Sequence, residues 1–149
     1  MLTPFFIPIK FMAKLESKEV EINSPKEKIF DFLSDFTNFS LLVPDKIENW
    51  KATKEKCSFR ISGLADIGME ISQTTPWSSI IIVNDKEINN PFSFSFNWDF
   101  KDINESKTKV QSFFDLDINP MMSMMIKKPL QNFMDVLVDK LKEKMENES

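Results

Sequence analysis

The sequence contains no histidine and no tyrosine, and these absences exclude several kinds of catalytic chemistry. Without histidine the chain can form neither a histidine-based catalytic triad nor a histidine metal site, and it has no imidazole that titrates near neutral pH. The absence of tyrosine removes another common proton donor from any pocket. Acid–base catalysis would therefore depend on the few residue types that remain.

Cysteine, glycine and arginine are scarce. Cys57 is the one cysteine, which excludes an internal disulfide and a thiolate metal cage and suits a reducing cytoplasm. The two glycines, Gly63 and Gly68, cannot build a glycine-rich phosphate loop. Arg60 is the one arginine and the formal net charge is −4, so general nucleic-acid binding has little electrostatic basis. We expect no metal, no cofactor, no nucleic-acid partner and a cytoplasmic location.

The length of 149 residues and the 42% of hydrophobic residues predict one globular domain, which we place at 12–149. The apolar extension 1–11 is too short, and too interrupted by Pro4 and Pro8, to span a bilayer, so we expect no stable membrane insertion. Two interpretations of this segment remain open. It is either a dispensable extension, with translation starting at Met12, or an arm whose phenylalanines pack on the domain or on a second copy.

Two short helices are predicted near the start of the domain. Alternating residues predict a strand at 15–23, and then Ser24 can cap a helix in which Pro25 takes the first position. A second short helix over 38–43 ends before Pro44, because proline disfavours a helical residue ahead of it.

From residue 46 to residue 118 the hydrophobic period is two, which predicts strands. The stretch PFSFSFNWDF alternates aromatic and polar residues, so one face of that strand is dry and the other wet. The short connections favour an antiparallel meander. The six predicted strands are about 46–53, 56–62, 65–75, 77–85, 91–101 and 107–118.

The chain continues into a long amphipathic helix whose apolar residues recur at three- and four-residue spacing from Leu130 to Met145, with a kink expected at Pro129. The predicted order is β-α-α-β-β-β-β-β-β-α. This order predicts an α+β domain in which a seven-stranded, curved antiparallel sheet wraps around the long C-terminal helix.

The stretch SPKEKIFDFLSDFTNFSLLVP, placed between a strand and a run of hairpins, resembles the opening motif of the helix-grip superfamily. This superfamily, also called SRPBCC or START-like, includes START lipid-transfer domains, birch-pollen-allergen-like proteins and polyketide cyclase/dehydrase-like proteins. The resemblance covers about 12–147. It implies a helix-grip fold with an apolar cavity between sheet and C-terminal helix that binds lipids, polyketides or similar molecules.

We predict that this cavity is lined by residues of the inner sheet face, of the short helices and of the long helix, although each of them can equally belong to a solid core. The predicted lining consists of Phe36, Phe39, Leu42, Val43, Phe59, Ile61, Ile67, Met69, Ile71, Phe94, Phe96, Trp98, Phe114, Leu116, Met122, Met125, Ile126 and Phe133.

Four methionines, Met121, Met122, Met124 and Met125, cluster at the start of the long helix. Because methionine adapts to irregular apolar shapes, they form either a joint packed against neighbouring phenylalanines or a pliable mouth. In the second interpretation a ligand enters between residues 39–43 and 121–125.

Three functions remain open. The first is binding or transport of a hydrophobic small molecule by a monomer or weak homodimer, without catalysis. The second is a cofactor-free cyclase or dehydratase that acts through pocket shape and polar groups, for which we expect at most Ser112, Asn84 and Gln73 to point inward. The third is an interaction module that holds a partner or a quinone. We expect Arg60 to form a solvent-side ion pair and Cys57 to be a small buried hydrophobe.

Overall fold

The computed structural model describes residues 12–61, 63 and 65–147, and the predicted extension 1–11 lies outside the described residues. The alternating stretches form strands and the two amphipathic stretches form helices, in the predicted order. The elements are β1 (Met12–Glu16), β2 (Val20–Ile22), α1 (Lys26–Leu33), a 3₁₀ helix (Phe36–Leu41), β3 (Ile47–Ala52), β4 (Lys56–Ile61), β5 (Ala65–Thr75), β6 (Ser79–Asn84), β7 (Ser93–Asn104), β8 (Lys107–Asp117) and α2 (Pro120–Glu146).

The strands form one curved antiparallel sheet around α2, which confirms the predicted α+β helix-grip architecture. The sheet order is β1-β8-β7-β6-β5-β4-β3, and β2 also pairs with β8. Because side chains alternate along a strand, alternate residues of β4, of β8 and of the first part of β7 are buried on one face of the sheet, and most of them are apolar. That face and the apolar stripe of α2 form the core.

The sheet has eight strands rather than the predicted seven, because the predicted strand 15–23 is two short strands on the same edge of β8. Ser17 interrupts it. The Ser17 N–H donates to the Ser112 carbonyl and the Ser17 hydroxyl accepts from the Ser112 N–H, each at 2.9 Å. A side chain thus takes the place of a backbone group in the ladder, and pairing resumes at Val20.

Both short helices begin at other residues than predicted. Pro25, and not Ser24, is the residue before the first turn of α1, and it makes no side-chain cap; the Ser24 carbonyl instead accepts from the Thr108 hydroxyl at 2.8 Å. The second helix is a 3₁₀ helix that starts at Phe36, before the predicted 38–43. It starts there because the Asp35 carboxylate accepts from the N–H of Thr37 at 2.9 Å.

The long helix α2 has 27 residues and continues through Pro129. Asn119 caps it by accepting from the Met122 N–H at 2.8 Å, and Pro120 takes the first helical position, where its missing N–H costs nothing. The helix backbone runs closest to β1, β2 and β8. Within the described residues, no helix combines the length and the apolar character that crossing a membrane requires.

Candidate ligand pocket

One flank of α2 is fastened to the β1–β2 edge of the sheet. Polar side chains of the helix, spaced by about one turn, bind backbone groups of the edge strands and of the segment between them. Lys18 adds an ion pair to Asp139 at 2.6 Å. The hydrogen bonds run from Gln131 Nε2 to Glu16 O (2.7 Å), from Lys18 N to Asp135 Oδ1 (3.0 Å) and from Asn23 N to Glu146 Oε2 (2.9 Å). We call this set the edge clasp.

The opposite flank of α2 faces β3 and β4, and there a pocket of about 580 Å³ remains between helix and sheet. The second half of the helix is tied on this side too, since Lys140 Nζ donates to the Val43 carbonyl at 3.3 Å. The pocket therefore lies beside the first half of α2. Its lining is Pro44, Lys46, Ile47, Ile61, Met124, Met125, Lys128, Pro129, Asn132 and Phe133.

A second, smaller cavity of about 60 Å³ lies farther toward the start of α2. It is apolar, and Met125 borders both cavities. A rotation about the side-chain bonds of one flexible residue can therefore change how the two spaces connect. The small cavity is lined by Ala65, Pro91, Phe92, Met122, Met125 and Ile126.

Six aromatic rings, among them Phe133 of the larger pocket's lining, form a closed circuit between α2 and the sheet. Phe133 of α2 stacks on Phe59 of β4, with ring centroids 5.4 Å apart and an interplanar angle of 19°. The circuit joins both layers of the fold, so the floor of the pocket is part of the core. The remaining centroid distances are Phe59–Trp50 5.7 Å, Trp50–Phe39 6.4 Å, Phe39–Trp98 6.3 Å, Trp98–Phe96 5.5 Å and Phe96–Phe133 6.4 Å.

The structure divides the predicted lining into pocket and core. Ile61, Met125 and Phe133 line the larger pocket, and Met122, Met125 and Ile126 line the smaller one. Val43 and Ile71 pack against the core as partly buried residues. Ligand contact by any of these residues stays a prediction. The other predicted residues are buried in the core: Phe36, Phe39, Leu42, Phe59, Ile67, Met69, Phe94, Phe96, Trp98, Phe114 and Leu116.

Met124 and Met125 of the methionine cluster line the larger pocket, and the cluster does not form a buried joint. Met121, Met124 and Met125 are 76%, 82% and 60% exposed, so as a group they do not pack against the phenylalanines of the 3₁₀ helix. Met122 alone is partly buried against the core. The pocket opens between residues 44–47 and the first half of α2, just past the predicted entrance beside residues 39–43.

The charged and thiol groups near the pocket have ordinary structural roles. Arg60 Nε and Nη2 donate to the Asp66 carboxylate at 2.8 and 3.0 Å, which confirms the predicted ion pair and lowers the pKa of Asp66. Cys57 is buried, and its burial raises the pKa of the thiol. Within the described part of the chain, no three acidic or cysteine side chains are grouped so that they could hold a metal ion.

Two buried polar groups lie on the inner face without a hydrogen-bond partner. Trp98 and Ser112 are opposite each other on β7 and β8, both are 0% exposed, and Trp98 Nε1 and Ser112 Oγ are unpaired. Of the three residues expected inside, Ser112 is buried, Asn84 is partly buried and Gln73 is exposed. Neither Trp98 nor Ser112 lines either cavity.

Met124 belonged to the predicted mouth, but the sequence interpretation did not assign the other pocket residues to the site, namely Pro44, Lys46, Ile47, Lys128, Pro129 and Asn132. A signal for the helical ones exists. Residues 124, 125, 128, 129 and 132 recur at three- and four-residue spacing, on a stripe next to the buried one. A stripe that mixes methionine, lysine and proline is typical of a surface that is neither core nor fully solvated.

No family model matches the chain, and no curated protein matches it in sequence. Solved structures do match over nearly the whole chain. A START superfamily protein from Mycobacterium smegmatis is 14% identical, with a TM-score of 0.65, and the match covers 93% of this chain and 99% of that one. Norcoclaurine synthase from Thalictrum flavum, in complex with dopamine and hydroxybenzaldehyde, is 9% identical, with a TM-score of 0.67. The match covers 94% of this chain and 90% of that one.

The di-domain ARO/CYC BexL from the BE-7585A biosynthetic pathway is 12% identical, with a TM-score of 0.66, and the match covers 88% of this chain and 45% of that one. At such identities the likeness establishes the fold alone. The protein therefore has the START-like, or SRPBCC, helix-grip fold that the opening motif predicts.

Proposed function

We propose that the protein binds a hydrophobic small molecule in the pocket between α2 and the β3–β4 side of the sheet. The observation that supports this proposal is the pocket itself. Its volume of about 580 Å³ lies within the range of about 300–1,000 Å³ that is typical of small-molecule sites. Seven of its ten lining residues are apolar, with Ile61 and Phe133 at the inner end and Met124 and Met125 at the opening.

Known proteins of this fold support the same proposal. Norcoclaurine synthase was solved with two small aromatic molecules, and BexL is described as an ARO/CYC protein of a biosynthetic pathway. The norcoclaurine synthase structure thus shows small organic molecules bound to a protein of this architecture. The apolar lining of the pocket is consistent with a ligand of that general kind, recognised mainly by shape.

An experiment on the opening of the pocket tests the proposal. Nile red, an uncharged dye that fluoresces in apolar surroundings, is titrated into the wild-type protein and into two variants. Met125→Trp places a bulky ring where the two cavities meet and should weaken dye binding at least tenfold. Met121→Trp is the matched control, since Met121 is also an exposed methionine of the same helix and lines neither cavity. Equal binding by all three proteins would contradict the proposal.

Native mass spectrometry of the purified protein is an independent test. A co-purifying organic molecule that is present in the wild type and depleted in Met125→Trp supports binding in this pocket. A molecule retained equally by both proteins would place it elsewhere.

The enzyme alternative is favoured by one observation, the unpaired Trp98 N–H and Ser112 hydroxyl on the inner face. A reaction needs polar groups that converge on the bound molecule. The polar residues that line the pocket are Lys46, Lys128 and Asn132, whereas Trp98 and Ser112 lie apart from it in the core. The geometry therefore supports binding better than catalysis.

A further inference from the structure

The rim of the larger pocket carries charge of one sign. Among the described residues, Lys46 and Lys128 are its charged lining residues, and no described aspartate or glutamate lines it. The chain as a whole has 23 acidic and 19 basic residues, so a purely cationic rim does not follow from the composition. The charge is a local property of this opening.

The two lysines come from opposite walls. Lys46 precedes β3 on the sheet side, and Lys128 lies on the first half of α2. The apolar floor of Ile61 and Phe133 belongs to the same pocket. A molecule with its apolar part on this floor would therefore have its outer end beside two ammonium groups.

Neither lysine has an ion-pair partner within the described part of the chain, whereas other lysines do. Lys26 contacts Asp102 at 2.7 Å and Lys142 contacts Glu146 at 2.8 Å, and both are ordinary surface pairs. Lys46 and Lys128 are exposed and make no such contact with a described carboxylate. Their charges are available to a bound anion at no cost to an internal pair.

We propose that the ligand is an amphipathic anion, with an apolar tail on the Ile61–Phe133 floor and a carboxylate or phosphate head between Lys46 and Lys128. This inference rests on the proposed function and adds the chemical class of the ligand. Flexible ammonium groups on both walls can bind either head, because lysine interacts as a point charge and does not require a planar partner. Asn132, on the same helix face, adds an amide donor at the rim.

The test compares four ligands that each have a twelve-carbon chain: dodecanoate, dodecyl phosphate, dodecanol and dodecyltrimethylammonium. Displacement of Nile red from the wild-type protein is measured for each ligand at low salt, below the critical micelle concentration of the three ionic ligands and below the aqueous solubility of dodecanol. The same titrations are made with Lys46→Gln, Lys128→Gln and Lys127→Gln. Lys127→Gln is the matched control, because Lys127 is an exposed neighbour on the same helix that lines neither cavity.

We expect both anions to bind more tightly than dodecanol, and the cation to bind more weakly. An exposed ion pair changes affinity by up to about fivefold, so each pocket lysine variant should lose about threefold in anion affinity. Dodecanol binding should be unchanged in all variants, and Lys127→Gln should keep the preference for anions. Salt should reduce the preference. The tighter of the two anions then identifies the preferred head.

Two outcomes overturn the inference separately from the proposed function. If dodecanol, or the cation, displaces the dye as well as the anions do, the pocket binds apolar chains without selecting a head group, and the proposed function stands. If Lys127→Gln loses as much anion affinity as Lys46→Gln and Lys128→Gln, the effect is one of net charge and the inference is wrong. If no dodecyl compound displaces the dye and Met125→Trp binds the dye as well as the wild type does, the proposed function itself is contradicted.

Discussion

Truncation of the pocket floor tests whether the pocket and the core share the same side chain. Phe133 is 3% exposed and stacks on Phe59, and its ring centroid lies 6.4 Å from that of Phe96. Replacement of a buried phenylalanine by alanine costs about 3–5 kcal/mol in the free energy of unfolding, and the cost grows with the cavity that is left. The space left by Phe133→Ala joins an existing opening that water can enter. We therefore expect the lower end of that range, about 3 kcal/mol.

Phe96→Ala is the matched comparison. Phe96 is 0% exposed, stacks on Phe114 at 4.5 Å and lines neither cavity, so its removal leaves a closed void. We expect a loss of about 4–5 kcal/mol, more than for Phe133→Ala. Both values follow from urea denaturation monitored by tryptophan fluorescence. A loss under about 1 kcal/mol for Phe133→Ala, or a loss larger than for Phe96→Ala, would refute this account of the pocket floor.

Three further changes have expected results. Gly68→Ala should destabilise the protein by about 1–3 kcal/mol in a thermal melt, because its Cβ would lie 2.5 Å from the Ile88 side chain; an unchanged melting temperature would mean that the 88 loop is free to move. Ser112→Ala should raise the free energy of unfolding, measured by urea denaturation, by about 1 kcal/mol, since it removes an unpaired buried hydroxyl. A lower free energy of unfolding would indicate a partner for that hydroxyl. Cys57 should react with iodoacetamide only when urea unfolds the protein, because burial raises the pKa of its thiol; rapid reaction of the native protein would contradict its burial.

The strands and the long helix could be predicted because their signals are local. In β7 the aromatic residues from Phe94 to Phe100 alternate with polar ones, and the burial of this strand alternates in the same way. In β8 the period of two places Ser112 on the inner face beside Phe114, although its residue type does not suggest burial. Period and spacing therefore determined the faces correctly even where a residue type was misleading.

The pocket could not be located from the sequence, because its position depends on how far α2 stands from each edge of the sheet. That distance is set by the edge clasp, in which Gln131 and Asp135 bind backbone groups of residues 16 and 18. Every residue has such backbone groups, so no residue type marks them as partners. The packing of Phe96 and Trp98 into a solid core depends on matched side-chain volumes, which spacing does not reveal.

The edge clasp also has a consequence for how the chain folds. Lys18 and Asp135 bind each other across 117 positions of sequence, so the contact that seats α2 on the sheet is among the least local in the protein. Contacts of this kind slow folding, because a large loop must be closed before they contribute. A ribosome that adds about 5–20 residues per second needs roughly 6–23 s to pass from one partner to the other. The aromatic face of the sheet is complete only when β8 ends at Asp117, so it has no helix to cover it during the last roughly 1–4 s of that interval, and it is then most exposed to aggregation or to capture by a chaperone.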